Sequence, residues 1–309
     1  MQEQKSWLPY VLLVVLALIW GSSFILMKEG LKVMTSVQMA AYRISVCGLV
    51  FFPFVLKHFK RIEPKDRKYA LLAGLMGSGI PAFLFAIAQQ HINSSLAGIL
   101  NAMTPIFTLI IAVVVTKLVL PKTKFIGVII GFLGALAIII GKMYVAGADS
   151  STPAFTDIKY VLMVVLATLL YGSNINLIKN KLAKYNAFVI ATTPLFMISI
   201  IAMLIMAFTN WSNISEYPSE QVYKSFGAVT ALAILGTSLS LILFNRLVQL
   251  SGPVFASSVT YFIPFVAVFF GLLDGEEVIW IQLVGMSLIL TGVYLINRKT
   301  SQKPAQKAS

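Results

Sequence analysis

The chain has 309 residues and a net charge of +13, with 58% hydrophobic and only 11% charged residues; its mean hydropathy is +0.88. A soluble domain is about 25% charged because its surface has to be polar. That excludes an ordinary soluble enzyme, a disordered segment and a nucleic-acid-binding domain, and leaves a polytopic membrane protein. The basic residues stand between apolar runs rather than in one patch with interleaved aromatics, so no nucleic-acid partner is expected.

A bilayer core of about 30 Å takes about 20 apolar residues per helix. The apolar runs are continuous and do not alternate, which predicts helices and not barrel strands. Ten spans are predicted: residues 7–27, 36–56, 69–89, 95–116, 125–141, 158–178, 187–208, 226–249, 254–273 and 278–296. The first is read as a true span, because it is long for a signal peptide and no small-x-small site follows. Only Asp274, Gly275, Glu276 and Glu277 divide the last two. The connections 142–157 and 209–225 are too short to fold alone, and the tail 298–309 is polar. The lone Cys47 allows no intrachain disulfide.

Ten spans put both termini on one side. That side carries eighteen of the 24 lysines and arginines, the opposite side five, and Arg43 lies within a span. The positive-inside rule then places both termini in the cytoplasm. The bilayer is the expected environment, that of a bacterial inner membrane.

The chain matches itself. Trp20-Gly21-Ser22-Ser23 resembles Tyr171-Gly172-Ser173-Asn174, offset by 151 residues. Met103-Thr104-Pro105-Ile106-Phe107 pairs with Phe262-Ile263-Pro264-Phe265-Val266 at 159, and Gly127 and Gly134 pair with Gly285 and Gly292 at 158. Three matches in one order predict a duplicated five-helix unit, 8–141 and 158–297, joined by the linker 142–157. Five is odd, so the second copy enters the membrane from the other face. The expected fold is all-α, ten transmembrane helices as two inverted repeats. That architecture belongs to secondary transporters with a substrate site near the midplane.

The Trp-Gly-Ser-Ser start, Arg43 early in the second span, the stretch from Ser95-Leu96-Ala97-Gly98 to Thr104-Pro105-Ile106-Phe107, and the Gly-x6-Gly pattern of spans five and ten together resemble the EamA-type transporters of the drug/metabolite transporter superfamily. The resemblance covers about residues 8–297. It implies a ten-helix exporter of small metabolites, often amino acids; the expected assembly is a monomer or a homodimer. One departure stands out. The family often has Gly-Glu after spans four and nine; Gly275-Glu276 fits, but Thr116-Lys117 stands in the first half.

Arg43 is the most informative charge. It lies seven residues into its span, about 10 Å deep at 1.5 Å per residue. A charge there has to face a cavity, pair or snorkel. It is a candidate to hold a substrate carboxylate in a bidentate contact, or to fix the bundle by bonding helix carbonyls. Trp20 and Tyr171, at equivalent repeat positions, are either interface anchors or gates flanking a central cavity, with Ser22, Ser23 and Asn174 as hydrogen-bonding neighbours. Asn101, Thr104 and Tyr261 are further substrate candidates, and Pro105 and Pro264 candidate hinges, since proline frees a carbonyl and bends a helix. Gly127, Gly131 and Gly134 read as a packing face.

No metal, nucleotide or hydrolase motif occurs, so no cofactor, no metal and no catalytic residue are expected. A buried acid for proton relay is not evident, which leaves peripheral acids such as Glu29 or Glu276, or transport without an ion. The sequence predicts a secondary transporter working by alternating access on a small-molecule substrate, and the resemblance implies that it is an exporter. A passive channel-like facilitator is the first alternative and an intramembrane enzyme the second.

Overall fold

Short polar residues start the helices. Thr35 accepts the Gln38 N–H while Gln38 Oε1 accepts the Thr35 N–H at 2.7 Å, a reciprocal box. Asn93 and Asn186 accept the N–H groups of Leu96 and Phe188. The computed structural model describes residues 7–117, 120–148 and 155–298; at residues 58, 142–148, 155–157, 245, 249, 252–254 and 257 the description covers the backbone.

Ten apolar helices result: α1 (Leu8–Gly30), α2 (Ser36–Lys57), α3 (Pro64–Ala88), α4 (Ser94–Thr116), α5 (Lys122–Gly141), α6 (Ile158–Leu182), α7 (Ala187–Phe208), α8 (Ser219–Val248), α9 (Val259–Leu273) and α10 (Trp280–Asn297). Among the described residues nine are long and apolar enough to cross a bilayer; α9, with 15 residues, is shorter. The protein is an all-α integral membrane protein. Phe208, Val114, Leu273 and Leu56 stand exposed on its outer face, as a lipid-facing surface requires.

Two boundaries differ from expectation in the stretches between spans. Gly252-Pro253 reads as a break, yet the helix from Ser240 runs on to Ser257 and α9 follows after Ser258. In lipid a freed backbone group finds no water, so helix continues where a soluble chain would turn. The expected linker is helical where described: one helix reaches Ala148 and the next starts at Phe155, with 149–154 outside the described residues. Of the expected tail only Arg298 is described. Inside the spans, α4 is interrupted at Ala102 and Met103. Pro105 stands in the first turn of its second piece, where its missing N–H costs nothing. Pro264 lies inside α9.

Small residues set the tightest approaches. Along the α5–α10 contact, a Cβ on Gly134 would lie 2.7 Å from the Gly285 carbonyl and one on Gly127 2.7 Å from that of Gly292. Glycine lets the two backbones touch, so the expected packing face holds. α2 lies along α7 with Gly48 against Ser199. α1 packs on α8 and α9, and α6 on α3 and α4. The buried core is continuous through the bundle and includes Leu16, Met39, Leu100, Ile138 and Ile289.

Candidate functional site

Two helices widen in mid-span into π-helical turns, Leu75–Gly79 in α3 and Ile234–Leu239 in α8, and a third π-turn, Ile178–Leu182, ends α6. A π-turn misaligns the backbone ladder and leaves carbonyls free for side chains. Trp20 Nε1 donates to the Gly236 carbonyl at 3.2 Å, and Cys47 Sγ to that of Ala233 at 3.3 Å. Between the two mid-span turns lies a cavity of about 40 Å³, lined by Arg43, Ile44, Cys47, Gly77, Ser78, Ala82, Tyr171, Leu195 and Thr237. It has room for about three waters.

Arg43 reaches this cavity from α2. Its Nε and Nη2 donate to Thr237 Oγ1 at 3.3 and 3.0 Å. No carboxylate lies within ion-pair distance of it among the described residues. Arg43 is half-buried, and its hydrogen bonds among the described residues go to a hydroxyl and not to a helix carbonyl.

Tyr171 lines the same cavity, its ring stacked on Phe85 with centroids 6.2 Å apart. Trp20 lies against Phe244 at 5.4 Å and joins the site through Gly236, the neighbour of Thr237. Ser23 back-bonds to Ile19 at 2.7 Å, and its oxygen lies 2.8 Å from where a Cβ on Gly236 would be. Asn174 occupies the matching place beside Gly77, with its buried Oδ1 unpaired. Ser22 also bonds Ile19.

The other candidates fall outside the cavity lining. Thr104 donates to the Asn101 carbonyl at 2.9 Å, closing the break in α4. Tyr261 donates to the Val293 carbonyl and accepts from Asn297 Nδ2, both at 3.0 Å, and so ties α9 to α10. Reasoning from sequence missed Thr237, Ser78 and both mid-span π-turns. A signal was present: Leu75-Met76-Gly77-Ser78-Gly79 aligns with Ile234-Leu235-Gly236-Thr237-Ser238 at an offset of 159.

A second cluster closes one end of the bundle. Gly275 adopts φ +78° after α9 and turns Glu276 inward, where it is 8% exposed. Its two oxygens accept the N–H and hydroxyl groups of Ser94 and Ser95 at 2.7–3.0 Å, and Lys28 Nζ lies 2.9 Å away. The carboxylate thus caps α4 from another loop, at the positive end of the helix. Burial works against its charge, but the Ser95 N–H, Lys28 and Ser94 outweigh it and hold its pKa at about 2. Glu276 is therefore ionised near neutral pH in this conformer. At the other end of the bundle Asp66 is 7% exposed and pairs with Lys184 at 2.8 Å. Between this cluster and the cavity, Phe24 packs on Phe85 at 5.8 Å and Gln89 donates to the Phe24 carbonyl at 3.0 Å.

The sequence matches the EamA-like transporter family twice, over residues 7–140 and 158–298. An uncharacterized transporter of Archaeoglobus fulgidus is 22% identical over 96% of this chain and 99% of its own length. The inner membrane transporter YedA of Escherichia coli is 25% identical over 91% of this chain and 88% of its own. A solved crystal structure, 14% identical, superposes with a TM-score of 0.60 over 93% of this chain and 96% of that one, and shares the fold. The chain belongs to the EamA-like transporter family, and it is a membrane transporter.

Proposed function

We propose that the chain is a secondary transporter of the bacterial inner membrane, with cytoplasmic termini, that exports small organic metabolites by alternating access between two inverted five-helix halves. The cavity around Arg43 carries this reading: a charged, hydroxyl-lined hollow at the centre of an apolar bundle. Three features support the inverted halves. The family matches twice, once per half. The contacts exchange between halves, so that Trp20 meets Phe244 while Tyr171 meets Phe85, residues 159 apart. Gly127 meets Gly292 while Gly134 meets Gly285. The charge bias of the loops supports the orientation.

The cavity is too small for a metabolite in this conformer. An alternating-access cycle accounts for that, since a closed form has to lie between the two open ones. A metabolite-efflux screen on cells overproducing the protein tests the function, with Arg43→Gln as the control. The expected result is enhanced, saturable efflux that the variant loses while still inserting in the membrane. Unchanged efflux of every metabolite contradicts transport, and non-saturating flux without counterflow favours a channel.

A further inference from the structure

Arg43 is the single charged residue lining the central cavity among the described residues, and its one side-chain partner is a neutral hydroxyl. An ion held away from water without a counter-charge costs several kcal/mol. In the open forms water pays that cost. In a form closed around its cargo the cargo has to supply the missing charge. A solute of net charge −1 brings the closed site to zero, a zwitterion leaves it at +1, and a cation raises it to +2.

The donors agree with the charge. A guanidinium has five N–H groups in a planar fork that fits a carboxylate. Two of its nitrogens face Thr237, which leaves Nη1 without a partner among the described residues. Ser78, on the other π-turn, adds a hydroxyl from the opposite wall. The cavity lining offers no acid to receive an ammonium group.

We propose that the transported solutes are organic carboxylates of net charge −1, held by Arg43 with Thr237 and Ser78: hydroxy acids, oxo acids and N-acyl amino acids, in preference to neutral zwitterions and amines. This deepens the transport reading above and rests on it.

The test uses the full-length protein in vesicles loaded with a small-metabolite extract of the expression host. The membrane potential is clamped with potassium and valinomycin. Mass spectrometry follows what leaves, against protein-free vesicles. Carboxylates of net charge −1 are expected to leave at least about tenfold faster than zwitterions of similar size. Arg43→Gln should abolish that preference, and Arg43→Lys, which keeps the charge but not the fork, should keep it at a reduced rate. Release led by zwitterions or amines overturns the charge rule while leaving transport intact. So does an anion preference that survives in Arg43→Gln protein with a wild-type elution profile. If no solute leaves faster than from empty vesicles, the transport reading fails and this inference with it.

Discussion

The two ends of the bundle are tied by charges in very different surroundings. At the α9–α10 end, Glu276 has a side chain 3% exposed and is satisfied by four donors of α4 and by Lys28, which also meets Asp274 at 2.7 Å. At the α2–α3 end, Lys184 bridges Glu63 at 2.6 Å and Asp66 at 2.8 Å, but Lys184 and Glu63 are 47% and 46% exposed. The two halves diverge at the same point of their sequences. Gly275 takes the left-handed turn that leads into Glu276, whereas Lys117 takes it at φ 53° in the first half with no glutamate after it. Apolar seals follow the same division. Phe24 is 7% exposed behind the Glu276 end, while Ile175, 151 residues on, is 48% exposed. Both ends hold a buried carboxylate, but Glu276 is capped by four donors of a helix, whereas Asp66 has the Tyr185 hydroxyl and a lysine that stands 47% exposed, so their energies differ.

The largest expected effect comes from Glu276→Gln. An amide brings donors against the Ser94 and Ser95 N–H groups and leaves Lys28 short of a partner, so about 3–5 kcal/mol should be lost. A thermal melt in detergent checks this. The pH dependence sharpens it. The native pKa of about 2 lies below the ordinary 4.5, so the charge stabilises fully above about pH 4.5 and progressively less as pH falls toward 2. The gap between wild-type and Glu276→Gln melting temperatures should therefore shrink over that range. A gap constant down to pH 2.5 would show that the charge is not what holds this end.

Gly271→Ala comes next. Its Cβ would lie 2.5 Å from Glu276 Oε2 and against the Ser95 hydroxyl, which prises the cap from α4 at a cost of about 1–3 kcal/mol. Near-additivity with Glu276→Gln would break the account, since both changes strike one contact. Lys184→Ala should do least. Lys184 and Glu63 stand in solvent and the buried Asp66 keeps the Tyr185 hydroxyl, so the melt should move by a fraction of the Glu276→Gln shift, and that difference should fade in high salt.

Much of the fold was legible because lipid imposes it. Span length and continuous apolarity gave the helices, and the glycine spacing of α5 gave its packing face, though not the partner α10. Arg43 and Tyr171 were legible because a deep arginine and a repeated aromatic-glycine pair are rare in a span. The π-turns were not, since an extra residue in a helical turn leaves apolar composition unchanged. Thr237 and Ser78 ride on those turns and were hidden with them. Glu276 looked peripheral because its partners, Lys28, Ser94 and Ser95, lie about 180 or more residues away in sequence. Burial of a loop acid depends on contacts that no local pattern carries.

The central claim is that the Arg43 cavity opens to one side of the membrane at a time. It is tested most directly by placing one cysteine at Ser78 in a Cys47→Ser background and labelling it with a membrane-impermeant maleimide from each side separately. The account predicts labelling of the resting protein from the α2–α3 side, and a shift toward the α9–α10 side when Glu276→Gln is added. Equal labelling from both sides, unmoved by Glu276→Gln, would contradict it.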